Sequence, residues 1–524
     1  MSEPETRVNT EGGETEQVGF RNKLIARWRA LPSEQRWGLT IVFQLAVAFA
    51  LWGLARSLTY AALLIFALLW VRRVPPLPWG LGMQALLVLV FAIFGPRSLA
   101  IVLAIVFALL WVPNQYRKWL LPVAALATAV MYPFFFDRLF TIPVFGAFPD
   151  IATGVYMVVF IMMAVGLNMV VGYAGLLDLG YVAFYATGAY TAAWFASLQF
   201  SHRSVHFGAI GLNPANLPGI HISIWLLLPL AGVFTAFAGI VIGLPTLRLR
   251  GDYLAIVTLG FGEIVYVVAR NGDNFGGFNL TNGPNGITPI DSPGWGHNLS
   301  NWTGGFLPSN YLTCCKSHFL GHQLQSADVF FWTALVLLIF TIFCSIRLRD
   351  SRIGRAWVAI REDETAAAAM GIPLMRTKTW AYASGAFFGG MAGAYYAASK
   401  SNTFPGDFLF QISVFILCMV VLGGMGNVWG VIIGAAFLAY LNYSGLANTG
   451  AWLNSHIHVI GNMQLPGQSQ KGLDVPEFAA GIYGLIILIV MLFRPEGLLP
   501  SSRRAAELHE GVHDEPLYDA THMG

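Results

Sequence analysis

The chain alternates long apolar runs with short charged turns, not single apolar with single polar positions, so its regular elements read as helices. Runs of roughly 15 to 23 apolar residues suit bilayer crossing, where only a helix or a closed barrel satisfies every backbone group. Reading between charges and turn residues predicts spans at 37–55, 57–71, 79–95, 98–112, 119–135, 151–172 and 181–199. Seven more follow at 223–246, 253–269, 329–346, 379–399, 408–423, 429–446 and 478–493. The pattern therefore predicts an all-α polytopic membrane protein of about fourteen transmembrane helices.

Composition sharpens this picture. Of 524 residues, 56% are apolar and 11% charged, far below the charge of a soluble enzyme. Mean hydropathy is +0.61. A net charge of +3 leaves no basic patch for nucleic acid, while 38 Phe and 16 Trp suit a surface facing the lipid bilayer. Four cysteines, Cys314, Cys315, Cys344 and Cys418, form neither a disulfide framework nor a paired zinc motif. Threading from a cytoplasmic start places most of the 30 Lys and Arg inside, which predicts that both termini are cytoplasmic. Residues 1–36 mix Glu with Arg, lack a signal-peptide pattern and read as a cytosolic tail, as do residues 499–524.

Two blocks differ in character. Residues 37–136 are tight hairpins of about five helices, a membrane extension, whereas 151–498 carry the glycine patterns and the long loops. Within the second block, Met169-Val-Val-Gly-Tyr-Ala-Gly175 resembles Met419-Val-Val-Leu-Gly-Gly-Met-Gly426, which reads either as an old duplication or as a recurring helical turn. Gly385, Gly389 and Gly393 form one small-residue row and Gly426, Gly430 and Gly434 another. Such rows let helix backbones approach closely, and packing within one bundle is favoured over a subunit interface.

Chemistry concentrates at few places. Glu263 is the only carboxylate near the middle of a predicted span, so it either meets a substrate ammonium, a proton or an Arg in a wet cavity, or bonds a neighbouring helix. Asp178 falls in a cytosolic turn and reads as solvated or as a helix cap. Thr281-Asn-Gly-Pro-Asn-Gly-Ile287 dictates turns beside the Glu263 helix; a plain turn is favoured, with presentation of backbone donors as the second reading. Cys314, Cys315, His318 and His322 are only loosely zinc-like, so no metal site is expected there.

The most informative segment is the loop 347–378, with seven basic and four acidic residues in a chain otherwise poor in charge. Within it, Arg361-Glu-Asp-Glu-Thr-Ala-Ala-Ala-Ala-Met-Gly-Ile-Pro373 reads as a short helix with acids at its positive end, an alanine run, Gly371 as stop and Pro373 beyond. A strongly specified helix between two spans favours a docking surface over a solvated connector.

That loop resembles the coupling helix of ABC importer permeases, with Thr365, Ala366 and Ala367 preceding Gly371, and Glu364 one position ahead of the acid the pattern places there. The stretch from Gly166 to Tyr190 looks like the LivM-type subunit of branched-chain amino acid importers. So do Arg250 to Glu263, Thr281 to Ile287, Val421 to Gly430 and Arg494 to Leu498, in order over residues 151–498. The resemblance implies a permease of the bacterial inner membrane, paired with a second, LivH-type permease subunit, two cytosolic ABC ATPase subunits and a periplasmic substrate-binding protein. It implies coupling through Arg361, Glu362, Asp363, Glu364, Thr365, Ala366, Ala367 and Gly371. It also implies a substrate path drawn from Asn168, Gly172, Gly175, Glu263, Asn282, Gly283 and Asn285. No G-x-x-x-x-G-K-[ST] motif occurs, so no cofactor is expected on this chain, and ATP and Mg belong to the partner ATPases. A permease for urea or short amides shares most of these motifs and stays open, as does a proton-coupled carrier. A membrane-embedded enzyme is disfavoured because no second acid or histidine accompanies Glu263 at membrane depth.

Overall fold

The structure is a computed structural model that describes residues 114–136, 146–200, 204–207, 218–249, 252–274, 276–303, 308–312, 318–319, 322–456, 475–493 and 497–499. The N-terminal tail 1–36, the first four predicted spans, Cys314, Cys315 and the tail from residue 500 lie outside the described residues. The chain divides into two compact units, residues 1–124 with 138–143, and residues 125–137 with 144–524. Of the first, only the opening turns of α1 (Asn114–Phe135) are described, and all that follows concerns the second.

Each span predicted from residue 151 onward forms a helix. In order these are α2 (Ile151–Asn168), α3 (Val182–Phe195), α4 (Ile224–Thr246), α5 (Asp252–Arg270), the short α6 (Gly296–Trp302) and α7 (Ser326–Asp350). Then come α8 (Arg352–Glu362), α9 (Glu364–Ala369), α10 (Leu374–Lys400), α11 (Phe410–Gly423), α12 (Val428–Tyr440), α13 (Leu446–His456) and α14 (Ala479–Phe493). Among the described residues, five helical stretches are long and apolar enough to cross a membrane, and three apolar helices are shorter. The described residues therefore bear out a helical membrane protein without fixing the number of crossings.

Helix α10 is the central post, packed on α2, α3 and α4. Its glycine row is the means of approach: a Cβ at Gly385 would meet Val170, at Gly389 Tyr181, and at Gly393 the backbone of Tyr185 and Ala189. With lipid as apolar as leucine, close backbone contact of this kind is what holds helices together. The row serves packing within the chain. The second row is corrected by the structure. Gly430 and Gly434 close α12 onto Gly423 of α11, but Gly426 stands in the turn before α12 with φ +86, a conformation a glycine tolerates.

The fold is mostly helical, as expected, with a few short strands added in its loops. The loops at the end away from residues 351–373 carry a three-stranded sheet, β1 (Ala196–Ser197), β2 (Ser204–Phe207) and β3 (Gly219–Ile222), in the order β1-β3-β2, and a two-stranded ribbon, β4 (His318–Phe319) with β5 (His322–Gln323). The span predicted to 199 accordingly stops at Phe195, because Ala196 and Ser197 pair antiparallel with β3. The β1–β3 sheet fastens the loop after α5: Asp291 donates its backbone N–H to Ala196 O at 2.8 Å and accepts from His221 Nδ1 at 2.8 Å. Ile287 exchanges both backbone bonds with Thr403 beyond α10.

Candidate functional site at the end that carries residues 351–373

Ser351 ends α7 and caps α8, its Oγ accepting from Gly354 N at 3.1 Å. Helix α8 is amphipathic and buries Gly354, Trp357 and Ile360, with Trp357 Nε1 donating to Thr377 O at 2.9 Å. Asp363 then caps α9. Its Oδ1 accepts from the Thr365 hydroxyl at 2.6 Å, Thr365 N at 2.8 Å and Ala366 N at 3.0 Å. Those bonds, the hydroxyl first, hold the Asp363 carboxyl below the ordinary carboxylate range. At the other end Gly371 takes φ +85, and the N–H groups of Gly371 and Ile372 return to Ala368 O and Ala367 O. The Gly371 stop is as predicted, but the start is not: Arg361 and Glu362 end α8, and an extended Asp363 separates them from the six residues of α9.

The exposed face of α9 holds Thr365, Ala366, Ala368 and Ala369, flanked by Glu362, Asp363, Gly371 and Met370, the last 84% exposed. Ala367 alone of the alanine run points inward, at 4% exposure. Glu364 also turns inward, its Oε1 accepting from buried Lys378 Nζ at 2.7 Å and so clamping α9 to the first turn of α10. Arg361 reaches deeper. Its Nη1 donates to Gly172 O at 2.6 Å, and its side chain fills the space where Gly175 has no Cβ.

Gly172 belongs to a π-helical turn, Met169–Tyr173, that ends α2. Such bulges commonly mark functional places. Fully buried Asn168 accepts from Gly426 N at 2.9 Å, which brings the two similar glycine segments of the sequence together at one end of the bundle. From Gly175, at φ +70, the chain turns through Asp178, whose Oδ1 accepts from Gly180 N at 2.8 Å. Leu179 N donates to Thr258 Oγ1 on α5 at 3.1 Å. A cleft of about 350 Å³ lies here, walled by Gly175, Leu177, Leu249, Leu254, Ile360 and Arg361, with Glu364 and Lys378 at its edge.

The path residues drawn from the sequence do not converge. Asn168, Gly172 and Gly175 stand at this end, while Asn282, Gly283 and Asn285 stand at the other. Glu263 lies between them on α5, five residues beyond Thr258, about 7 Å along the axis. It is exposed on a helix face shared with Tyr253, Ile256, Ile264 and Val267, and Gly260 beside it has open space where a side chain would be. In the 281–287 loop the N–H groups of Asn282, Gly283, Asn285, Gly286 and Ile287 are all bonded within the chain. That loop is a closed turn, and the second reading, presented donors, does not hold. No group of three or more metal-ligating side chains occurs among the described residues.

Residues 151–491 match the family described as branched-chain amino acid transport system / permease component. The chain belongs to this permease family. It is 36% identical over 404 residues to the high-affinity branched-chain amino acid transport system permease protein LivM of Salmonella typhimurium, covering 76% of this chain and 79% of that one. The Escherichia coli protein of the same name is 35% identical over 405 residues, with the same coverage. The probable branched-chain amino acid transport permease protein LivM of Methanocaldococcus jannaschii is 24% identical over 367 residues, or 66% of this chain and 91% of that one. No solved structure matches the chain.

Sequence reasoning missed three side chains that tie this permease together: Thr258, Lys378 and Tyr382. It also read Asp178 as solvated or as a helix cap, whereas the structure buries it completely, and the helix that follows has Tyr181 as its N-cap with no side-chain capping bond. The turn holding it is covered by α5 and α10, contacts remote in sequence. Burial pushes the Asp178 carboxyl from 3.8 up to about 6, against bonds from Gly180 N and the Tyr382 hydroxyl. Because the folded pKa is raised, the fold favours the protonated form. The stability this contributes is complete below pH 3.8 and is lost as pH rises through about 6. Ionisation at neutral pH then costs on the order of 3 kcal/mol. The wild type in detergent is expected to lose thermal stability between pH 4 and 7, and Asp178→Asn is expected to flatten that decline. A variant that keeps the wild-type slope would refute this account.

Proposed function

We propose that this chain is the membrane-spanning subunit of an ATP-driven, binding-protein-dependent importer of leucine, isoleucine and valine in a bacterial inner membrane. It has about fourteen crossings and cytoplasmic termini. Its partners are a second, LivH-type permease subunit, two ABC ATPase subunits that use ATP and Mg, and a periplasmic substrate-binding protein. The observation that carries this reading is the short exposed helix α9, capped at both ends and joined through Arg361 to the end of α2. A motor needs such a handle. It has to be exposed for gripping and stiffly connected to the intramembrane helices.

The connections support a route for the motion. A shift of α9 is carried by the Glu364–Lys378 pair to α10 and by Arg361 to the 172–180 turn. From there the bond between Leu179 and Thr258 leads into α5, the helix that bears Glu263. Alternating access follows when the ATPases grip α9 differently in their two states, because a ligand shifts an equilibrium only by its differential affinity. Glu263 faces away from this chain's own core. A carboxylate in mid-membrane is expensive against lipid, so its face of α5 borders a wet seam shared with the second permease subunit, where it receives the substrate ammonium.

Proteoliposomes holding the co-purified complex and its binding protein test the reading. Leucine uptake is expected to need internal ATP and to ignore a protonophore. Uptake that a protonophore abolishes, or ATPase activity stimulated by urea and not by leucine, would overturn it.

A further inference from the structure

A second cavity, of about 520 Å³, opens between α4 and α7 over the face of α10. It lies outside the α9 site and away from α5. Its walls are almost wholly apolar: Ala236 of α4, Phe343 and Leu348 of α7, and Trp380, Ala383 and Phe387 of α10. Ile353 and Trp357 of α8 close the end nearest the coupling loop. The helices on either side present apolar faces outward, with Val233, Phe237 and Val241 exposed on α4 and Val336, Phe340 and Phe343 on α7. These faces carry no charge at membrane depth, unlike the Glu263 face of α5, so they are the faces a bilayer covers. A groove sunk between them opens onto acyl chains.

One cation stands at this groove. Arg347, in the last turn of α7, lines it and is exposed. Its guanidinium lies 5.4 Å from the centre of the Phe343 ring, and among the described residues it forms no ion pair. The neighbouring Arg349 is bound to Asp350 at 3.0 Å. A guanidinium at the membrane surface, above an apolar slot and beside Trp380, matches an anionic phospholipid: the acyl chain in the slot, the phosphate on Arg347. A zwitterionic phospholipid offers the same phosphate but offsets it with its own cation, so it attracts the arginine less, and an uncharged apolar occupant leaves the arginine unanswered. We propose that this groove is a binding site for one anionic phospholipid of the leaflet next to the coupling loop. The lipid touches α8, and α8 is fixed to the base of α10 by the bond from Trp357 to Thr377, so its binding bears on the position of α9.

Native mass spectrometry of the full chain, purified in mild detergent with its co-purifying subunits and supplied with phosphatidylglycerol or phosphatidylcholine, tests the site. Phosphatidylglycerol is expected to be retained preferentially. Arg347→Gln should reduce that preference about fivefold, the factor one basic side chain supplies near anionic lipid. Ser384→Trp, which fills the slot without touching the arginine, should cut retention of both lipids. A photoreactive residue at position 353 should label phospholipid in the native membrane. Equal retention of the two lipids by the wild type, an unchanged preference in Arg347→Gln, or labelling at 353 of another helix of this chain or of a partner subunit would each overturn the proposal. None of these outcomes depends on which solute the permease carries.

Discussion

Ala369→Arg is expected to leave the protein expressed and folded yet to lower ATP-driven leucine uptake roughly 30-fold or more. Ala369 is exposed on α9, one turn beyond Thr365 and Ala366, and its methyl contributes nothing to the core. Arginine is nearly as good a helix former as alanine, so the helix and its caps at Asp363 and Gly371 persist. A long charged side chain in the middle of a small-residue docking face nevertheless prevents close approach. Losing one central contact of that kind costs about 2 kcal/mol or more, and hence the factor stated. The companion variant Ala367→Arg differs in kind. Position 367 is buried, so there the charge is expected to reduce the amount of folded protein. Uptake assays normalised to purified protein separate the two. If Ala369→Arg transports at more than half the wild-type rate, α9 is not the gripped element.

That contrast marks the limit of what the chain's pattern reveals. The long apolar helices from residue 151 onward follow from apolar run length, since lipid leaves the backbone no other solution among open structures, whereas the short α6 and the amphipathic α8 do not. The caps of α9 follow from local residues, Asp363 before the alanine run and Gly371 after it. Which alanine turns inward does not, because it depends on how α9 is tilted by the Glu364–Lys378 pair, a contact spanning fourteen positions. For the same reason Asp178 reads as a solvated turn residue or a helix cap, although Thr258 and Tyr382 enclose it from helices far along the chain. Gly426 keeps the four-residue spacing of a packing row, but spacing alone does not tell a helix from the turn before it. The short strands β1 to β3 are stabilised by pairing across intervening loop, not by local alternation, and so leave little trace in the pattern.

Arg361→Ala is expected to uncouple the motor from transport. The guanidinium bonds the backbone of Gly172 inside the π-turn of α2 and packs on Gly175, but it takes no part in the exposed face of α9. Truncation therefore leaves the docking surface in place. It also leaves the Gly172 carbonyl, which lies in a buried segment, without this charged donor, a loss of about 1 to 3 kcal/mol at the junction between loop and bundle. The ATPases should still dock and hydrolyse ATP while the 172–180 turn no longer follows α9, so leucine moved per ATP falls about tenfold, in line with ~1.4 kcal/mol lost from the coupling. Arg361→Lys keeps the charge, the methylenes over Gly175 and one possible bond, but it lacks the planar fork that reaches Gly172 O and lies against Gly426, so partial recovery is expected. The decisive measurement is the ratio of uptake to hydrolysis in the same proteoliposomes. A docking role for Arg361 would lower both rates in proportion and leave the ratio unchanged; a linking role lowers the ratio itself.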